Sequence, residues 1–250
     1  MGAEHEQEAV DVLAIGAHPD DVELAAGGTV AKLVAAGRRV GIVHLTRGEA
    51  GTRGTVEERR AEAEGAAEVL GASHLDILDC GDAGLRTGRA EEDTLLALLR
   101  RRRPELVLAP PPSDRHPDHG RAHRLVVDAC FYAGLRGRAR GRGGEAHRPG
   151  AVVCYMQHDL FTPSFIVDVG AWWQAKLDAL ACYRSQLHQR GDARRDEPET
   201  KVASPEFRDA IDGRARHFGQ LIGAELGEPF WSRGPLAIAD PLTLVPGGHR

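Results

Sequence analysis

Val12-Leu13-Ala14-Ile15-Gly16-Ala17-His18-Pro19-Asp20-Asp21 is the stretch that decides how this chain is read. Its apolar run, Val12 to Ile15, reads as a buried strand, and the residues that follow place one imidazole and two carboxylates within a turn of chain. A second stretch repeats the arrangement: Leu106 to Ala109 reads as a strand and leads to Arg115-His116-Pro117-Asp118-His119. In an open parallel sheet the loops at the carboxyl ends of strands share one edge, so the two clusters are expected to converge there.

The pattern around them supports such a sheet. Asp11 to Ala17 reads as a strand, Val22 to Ala36 as a helix closed by Gly37, Arg39 to Leu45 as a strand, and Val56 to Leu70 as a helix ended by Gly71. Leu75 to Leu78 is a further strand. Glu91 to Arg103 is a helix whose basic end complements the dipole before Pro104 breaks it. A helix over Asp118 to Tyr132, strands at Ala151 to Met156 and Phe165 to Val169, and helices near Trp172 to Ser185 and Pro205 to Gly223 complete the outline. This alternation predicts one α/β domain over residues 1–250, a Rossmann-like, mostly parallel sheet with helices on both faces. Residues 1–9, the Arg-rich stretch 136–148 and the polar stretch 187–203 are expected to be flexible.

Composition narrows the function. With 250 residues, 42% of them hydrophobic, the chain can bury a substantial core, and a formal net charge of −5 argues against nucleic acid as a partner. No apolar run of about 18 residues occurs and the amino terminus is polar, which predicts a cytoplasmic protein without a membrane anchor. Cys80, Cys130, Cys154 and Cys182 are far apart and form no C-x-x-C pair, so free thiols are expected. The strand–Gly16–helix junction lacks G-x-G-x-x-G and sets two carboxylates where a pyrophosphate would sit, which disfavours a nucleotide cofactor.

Imidazole and carboxylate are donors that zinc or ferrous iron accepts, and three protein ligands leave a position open for water or substrate. His18, Asp21 and His119 make such a set. Asp20 and His116 remain over, and hydrolysis needs such groups: one to take a proton from water, another to stabilise charge on the substrate. The blander reading has His18 and Asp20 capping a helix while His116 and His119 sit in a surface turn. Arg115 suits a substrate carboxylate, because a guanidinium fork binds carboxylate bidentately, or it pairs with Asp114 or Asp118. His123, four residues past His119, is taken as supporting rather than ligating.

The A-H-P-D-D and H-P-D-H loops resemble the paired signatures of the PIG-L/LmbE-type zinc-dependent N-acetylglucosaminide deacetylases. The likeness continues through Leu45-Thr46-Arg47-Gly48-Glu49, Gly51-Thr52-Arg53-Gly54-Thr55, Tyr155-Met156-Gln157, Pro163 to Asp168, Tyr183-Arg184-Ser185-Gln186 and Ser204-Pro205-Glu206-Phe207. Within the family the chain looks most like the bacillithiol-pathway branch, which deacetylates N-acetylglucosaminyl L-malate. The resemblance implies zinc, with ferrous iron as an alternative, on His18, Asp21 and His119. It implies that Asp20 is the general base and His116, as imidazolium, the stabiliser of the tetrahedral oxyanion. Arg59 then contacts the sugar or its aglycone, Asp82 accepts sugar hydroxyls, and the substrate is a small, anionic sugar conjugate. A homo-oligomer, trimer or hexamer, is also implied. Asp118 either orients an imidazole or caps the helix, and Glu49 either faces the site or caps its own loop. Other aglycones stay open, including inositol-linked sugars, chitooligosaccharides and mercapturic-type amides, as do a ferrous oxygenase built on the same triad and a non-catalytic sugar-binding protein.

Overall fold

The sheet is assembled from β1 (Val12–Gly16), β2 (Val40–His44), β3 (His74–Ile77), β4 (Leu106–Ala109), β5 (Ala151–Tyr155), β6 (Phe165–Asp168) and β7 (Gly227–Ser232), in the order β3-β2-β1-β4-β5-β7-β6. Pairings from β3 across to β5 are all parallel, and β7 runs antiparallel to both its neighbours. The computed structural model describes residues 8–138, 141–187, 202 and 204–238.

Strand β1 shows why the sheet is wound on both faces. Its side chains alternate, so Val12 and Ala14 enter one core with residues of α1 (Asp21–Ala35), α2 (Val56–Leu70), α5 (Trp173–Cys182) and α6 (Pro205–Leu221). Leu13 and Ile15 enter the other, with residues of α3 (Arg89–Arg102) and α4 (Pro117–Ala133). Both are fully buried, each contributing roughly 1.5–3 kcal/mol of transfer free energy. A strand buried on both faces reads as a continuous apolar run, which is why Val12 to Ile15 lacks polar alternation.

Helix ends follow the sequence closely. Thr55 and Glu58 form a reciprocal capping box at the start of α2, and Gly71 closes it at φ 72°. Gly28, inside α1, allows a close approach: a Cβ there would lie 2.8 Å from Cβ of Val169. Beside it Glu228 of β7 accepts from Gly28 N–H (3.0 Å), Thr29 N–H (2.7 Å) and the Thr29 hydroxyl (2.6 Å), and pairs with Lys176 Nζ at 2.6 Å. Both charged side chains are 2% exposed. Lys176→Met leaves a buried carboxylate without its countercharge, so unfolding in urea at pH 7 should show a loss of about 3–5 kcal/mol. A loss below about 1 kcal/mol would mean that the pair does not organise this junction.

β7 has no counterpart in the sequence reading, because Gly227 and Pro229 break the expected strand pattern. The structure tolerates Pro229 because the ladder to β5 spans only Phe230 to Ser232, leaving Pro229 paired with β6 alone. In the Arg-rich stretch, Arg138 donates to Glu92 and Asp93, and His147 N–H bonds the Ala133 carbonyl. His147 Nε2 lies 2.8 Å from the carbonyl oxygen of Pro104, just ahead of β4. These contacts put the described part of the stretch at the edge of the sheet away from the two motif loops. Residues 1–7, 188–201 and 203, which include most of two segments expected to be flexible, lie outside the described residues. No described helix is long and apolar enough to cross a membrane, and all four cysteines are free.

Candidate active site

The strand order reverses direction at β1, with β2 on one side and β4 on the other. The loops leaving β1 and β4 diverge there and open a crevice at the carboxyl edge, the usual ligand position in such sheets. Both motif loops line it. The rings of His18 and His116 are 4.7 Å apart, those of His116 and His119 5.0 Å, and those of His18 and His119 5.7 Å. Ring nitrogens of these three histidines lie within 4.8 Å of one another. Asp21 reaches both partners in the expected triad: Oδ2 is 3.6 Å from His18 Nδ1 and Oδ1 is 3.3 Å from His119 Nε2.

The neighbours of these groups set their orientation. His119 Nδ1–H donates to Asp114 Oδ1 at 2.9 Å, which assigns the Nε2 lone pair of a neutral ring to the centre. Gln157 Nε2 donates to Asp21 Oδ1 at 2.6 Å. His18 Nε2 sits 3.0 Å from Asp82 Oδ1 and 3.6 Å from Asp118 Oδ2, yet it is buried and forms no well-directed hydrogen bond. A buried imidazole nitrogen facing carboxylate oxygens in this way fits a cation-binding cradle.

The protonation pattern carries the same message. Burial alone would lower the pKa of His18, but the nearby carboxylates of Asp118, Asp21 and Asp82 outweigh it and hold it well above 6.5. His119 behaves alike: burial is overcome by the charge of Asp21 and the bond to Asp114, to about 9. The carboxylates therefore demand positive charge, which a divalent cation supplies without protonating either ring.

Asp20 stands apart. It precedes α1 at φ 106° and ψ −23° and makes no capping bond with its side chain, so the capping role drawn from sequence is not what this carboxylate does. A left-handed conformation at a non-glycine residue costs of order 1–3 kcal/mol and is commonly found at functional sites. Burial pushes its pKa up to about 7, against the pull of Arg59, whose Nη2 lies 3.9 Å from Oδ2.

His116, not Asp118, caps α4: its Nδ1 accepts from Asp118 N–H at 3.3 Å, which places the ring proton on Nε2. Burial, with His18 and His119 adding to it, lowers the pKa of His116. The cap leaves Nε2–H of the ring free to act as a donor. Asp118 accepts from Gly84 and Leu85 N–H, tying the loop after β3 to α4, and faces His18. Asp82, in that loop, accepts from Ala50 N–H as well as meeting His18. Glu49 accepts from Arg47 N–H within its own loop and from Asp82 N–H, tying that loop to the one after β3.

Arg59 is 5% exposed and donates to the Pro19 carbonyl (2.7 Å) and to Gln186 Oε1 (3.1 Å). Gln186 is the last residue of the Tyr183-Arg184-Ser185-Gln186 motif, and Tyr183 OH donates to Glu23 beneath α1. These residues, for which sequence offered no role, hold the guanidinium beside Asp20. Replacing Arg59 with Met removes a charge that favours ionised Asp20. The acid limb of the kcat–pH profile should therefore move to higher pH by at least about half a unit, and Arg59→Lys should move it less. An unmoved limb in Arg59→Met would separate Arg59 from Asp20 function.

Two participants went unassigned in the sequence reading. Asp114 accepts from His119, His116 N–H, His158 N–H and Asp159 N–H, and Gln157 fixes Asp21. The signal for Asp114 was its place two residues before His116 in the same loop. His123 bonds the Pro110 carbonyl and lies outside the cluster. A cleft of about 210 Å³ opens beside the centre, with Gln157 and His158 in its wall and Arg115 at its rim.

A His/carboxylate cradle at the switch point of a parallel sheet, with an uncapped carboxylate and an imidazole Nε2–H donor beside it, is what a metal-assisted hydrolase requires. The family model PIG-L, described as GlcNAc-PI de-N-acetylase, matches residues 13–130. The chain is 35% identical over 189 residues to diacetylchitobiose deacetylase of Thermococcus kodakarensis, covering 70% of each chain. It belongs to the PIG-L family of deacetylases, as its paired motifs suggested. It is also 32% identical over 201 residues to 4-oxalmesaconate hydratase of Pseudomonas putida, covering 70% of this chain and 74% of that one. A conserved protein from Thermus thermophilus has a solved structure that superposes with a TM-score of 0.81 at 36% identity, over 93% of this chain and 98% of that one.

Proposed function

We propose that this protein hydrolyses the acetamide of an N-acetylglucosamine conjugate, with zinc or ferrous iron held by His18, Asp21 and His119, and that N-acetylglucosaminyl L-malate is its specific substrate. The supporting observation is the buried Asp21 carboxylate set between His18 Nδ1 at 3.6 Å and His119 Nε2 at 3.3 Å, with an uncapped Asp20 carboxylate one residue away. When bound, such an ion supplies Lewis acidity that lowers the pKa of water from 15.7 to about 7. Asp20, kept ionisable by Arg59, takes a proton from the attacking water and delivers one to the departing amine. His116 donates its Nε2–H to the carbonyl oxygen as negative charge gathers there. Asp114 and Gln157 hold His119 and Asp21 in register, so little reorganisation accompanies the reaction.

The direct test is acetate and free-amine release from N-acetylglucosaminyl malate, an inositol-linked analogue, a chitobiose-type sugar and a neutral glycoside. Equimolar acetate and amine are expected, fastest with the malate conjugate. Release without preference for malate would leave the deacetylase reading and remove that substrate. The identity to a hydratase favours a second reading, addition of water to an unsaturated acid, which would show as loss of conjugated absorbance without acetate.

His116→Ala separates ligation from catalysis. The variant should keep its metal while kcat falls on the order of 10²- to 10³-fold, the cost of one oxyanion donor. Loss of metal would make His116 a ligand instead.

A further inference from the structure

The cleft beside the centre is lined by two arginines, and the sequence reading foresaw only one of them. Arg115 leaves the β4–α4 loop exposed and makes no hydrogen bond or ion pair with the described residues. Arg214 reaches in from α6 and gives one N–H to the Gln157 carbonyl, with no other partner among the described residues. Each guanidinium has five N–H donors, so most of both sets is unengaged. Arg59, the expected companion of Arg115, does not line this cleft: it is buried against Pro19, Gln186 and Asp20.

The rest of the lining sets the chemistry. Asp159 is the single carboxylate among the residues lining the cleft, and its N–H is tied to Asp114. His158 stacks on His119 with ring centroids 5.6 Å apart, which joins this wall of the cleft to the centre. Leu24, Phe207 and Ile211 supply apolar walls. A lining with two arginines, one carboxylate and apolar walls suits an acid group on a short carbon chain. A volume near 210 Å³ suits a small ligand group.

We propose that Arg115 and Arg214 form a carboxylate clamp for the aglycone of the substrate, with Arg214 the specificity-determining half that α6 contributes. This rests on the deacetylase reading for the word aglycone, while the clamp itself is a binding claim. α6 lies outside the residues matched by the family model, 13–130, so the preference belongs to the carboxyl-terminal part of this chain. Arg214 approaches Gln157, which in turn holds Asp21, so a bound acid is gripped next to the reacting acetamide.

The experiment compares the N-acetylglucosaminide of a short hydroxy acid with its primary amide on metal-loaded protein, by calorimetric binding and by acetate release in parallel. The acid should bind about 10- to 100-fold more tightly than the amide, the range of charge-assisted contacts, and high salt should shrink the gap. Arg214→Ala and Arg115→Ala should each cut affinity for the acid at least about tenfold while changing the amide less than about threefold. Arg214→Lys, which keeps the charge and replaces the fork, should recover part of the preference. Equal binding of acid and amide, no binding of either, or equal losses for both in Arg214→Ala overturns the clamp. Tight, arginine-dependent binding of the acid without acetate release leaves the clamp standing and overturns the deacetylase reading.

Discussion

His119→Ala should purify largely free of metal under conditions in which the parent protein keeps it, and its acetate release should fall to background. His119 is 2% exposed, with Nδ1 held by Asp114 and Nε2 turned towards Asp21, so no other side chain can take its place. Removing a supporting partner of a ligand costs about 10- to 100-fold in metal affinity, and removing one of three ligands costs more. Asp114→Asn should therefore fall between the parent and His119→Ala when metal content is measured after dialysis against a weak chelator. Full occupancy in His119→Ala would mean that the cradle is built from other groups, of which His18, Asp82 and Asp118 form the nearest set.

Asp20→Asn should keep its metal and lose about 10²- to 10⁴-fold in kcat, the contribution expected of a positioned general base. The substitution isolates the chemistry because Asn tolerates the left-handed conformation at φ 106° nearly as well as Asp. Its amide has the size of the carboxyl it replaces, so the Arg59–Pro19 contact survives. Single-turnover rates with metal content measured on the same sample check the result. Parental turnover in Asp20→Asn would assign the proton transfer to another residue.

Much of this architecture is legible in the chain itself. Val12 to Ile15 and Leu106 to Ala109 stand out as strands because parallel strands buried on both faces leave unbroken apolar runs. Helix α2 is bounded to the residue, its ends being written in Thr55, Glu58 and Gly71. Asp21 and His119 meet across almost a hundred residues, but both follow strands beside the switch point, so topology brings them together.

What sequence could not carry depends on contacts that no local pattern encodes. β7 is hidden by Gly227 and Pro229, which are tolerated only because of where its two ladders begin and end. The resemblance implied that Arg59 contacts the substrate, but nothing near it in sequence shows that Pro19 and Gln186 accept from its two terminal nitrogens and set it beside Asp20. Arg214 drew no attention on a polar helix far from both motifs, and only the packing of α6 brings it to the cleft. The tautomer of His116 follows from a cap to Asp118 N–H that required the helix start to be known within a residue.

The central claim is that the loops after β1 and β4 make one metal-dependent deacetylating centre. Adding zinc or ferrous iron stepwise to chelator-stripped protein, while recording acetate release from an N-acetylglucosaminide, tests it most directly. Release should begin near zero, rise in proportion to added metal and level off at about one ion per chain, as a single three-ligand site requires. Undiminished release from the stripped protein would contradict the account.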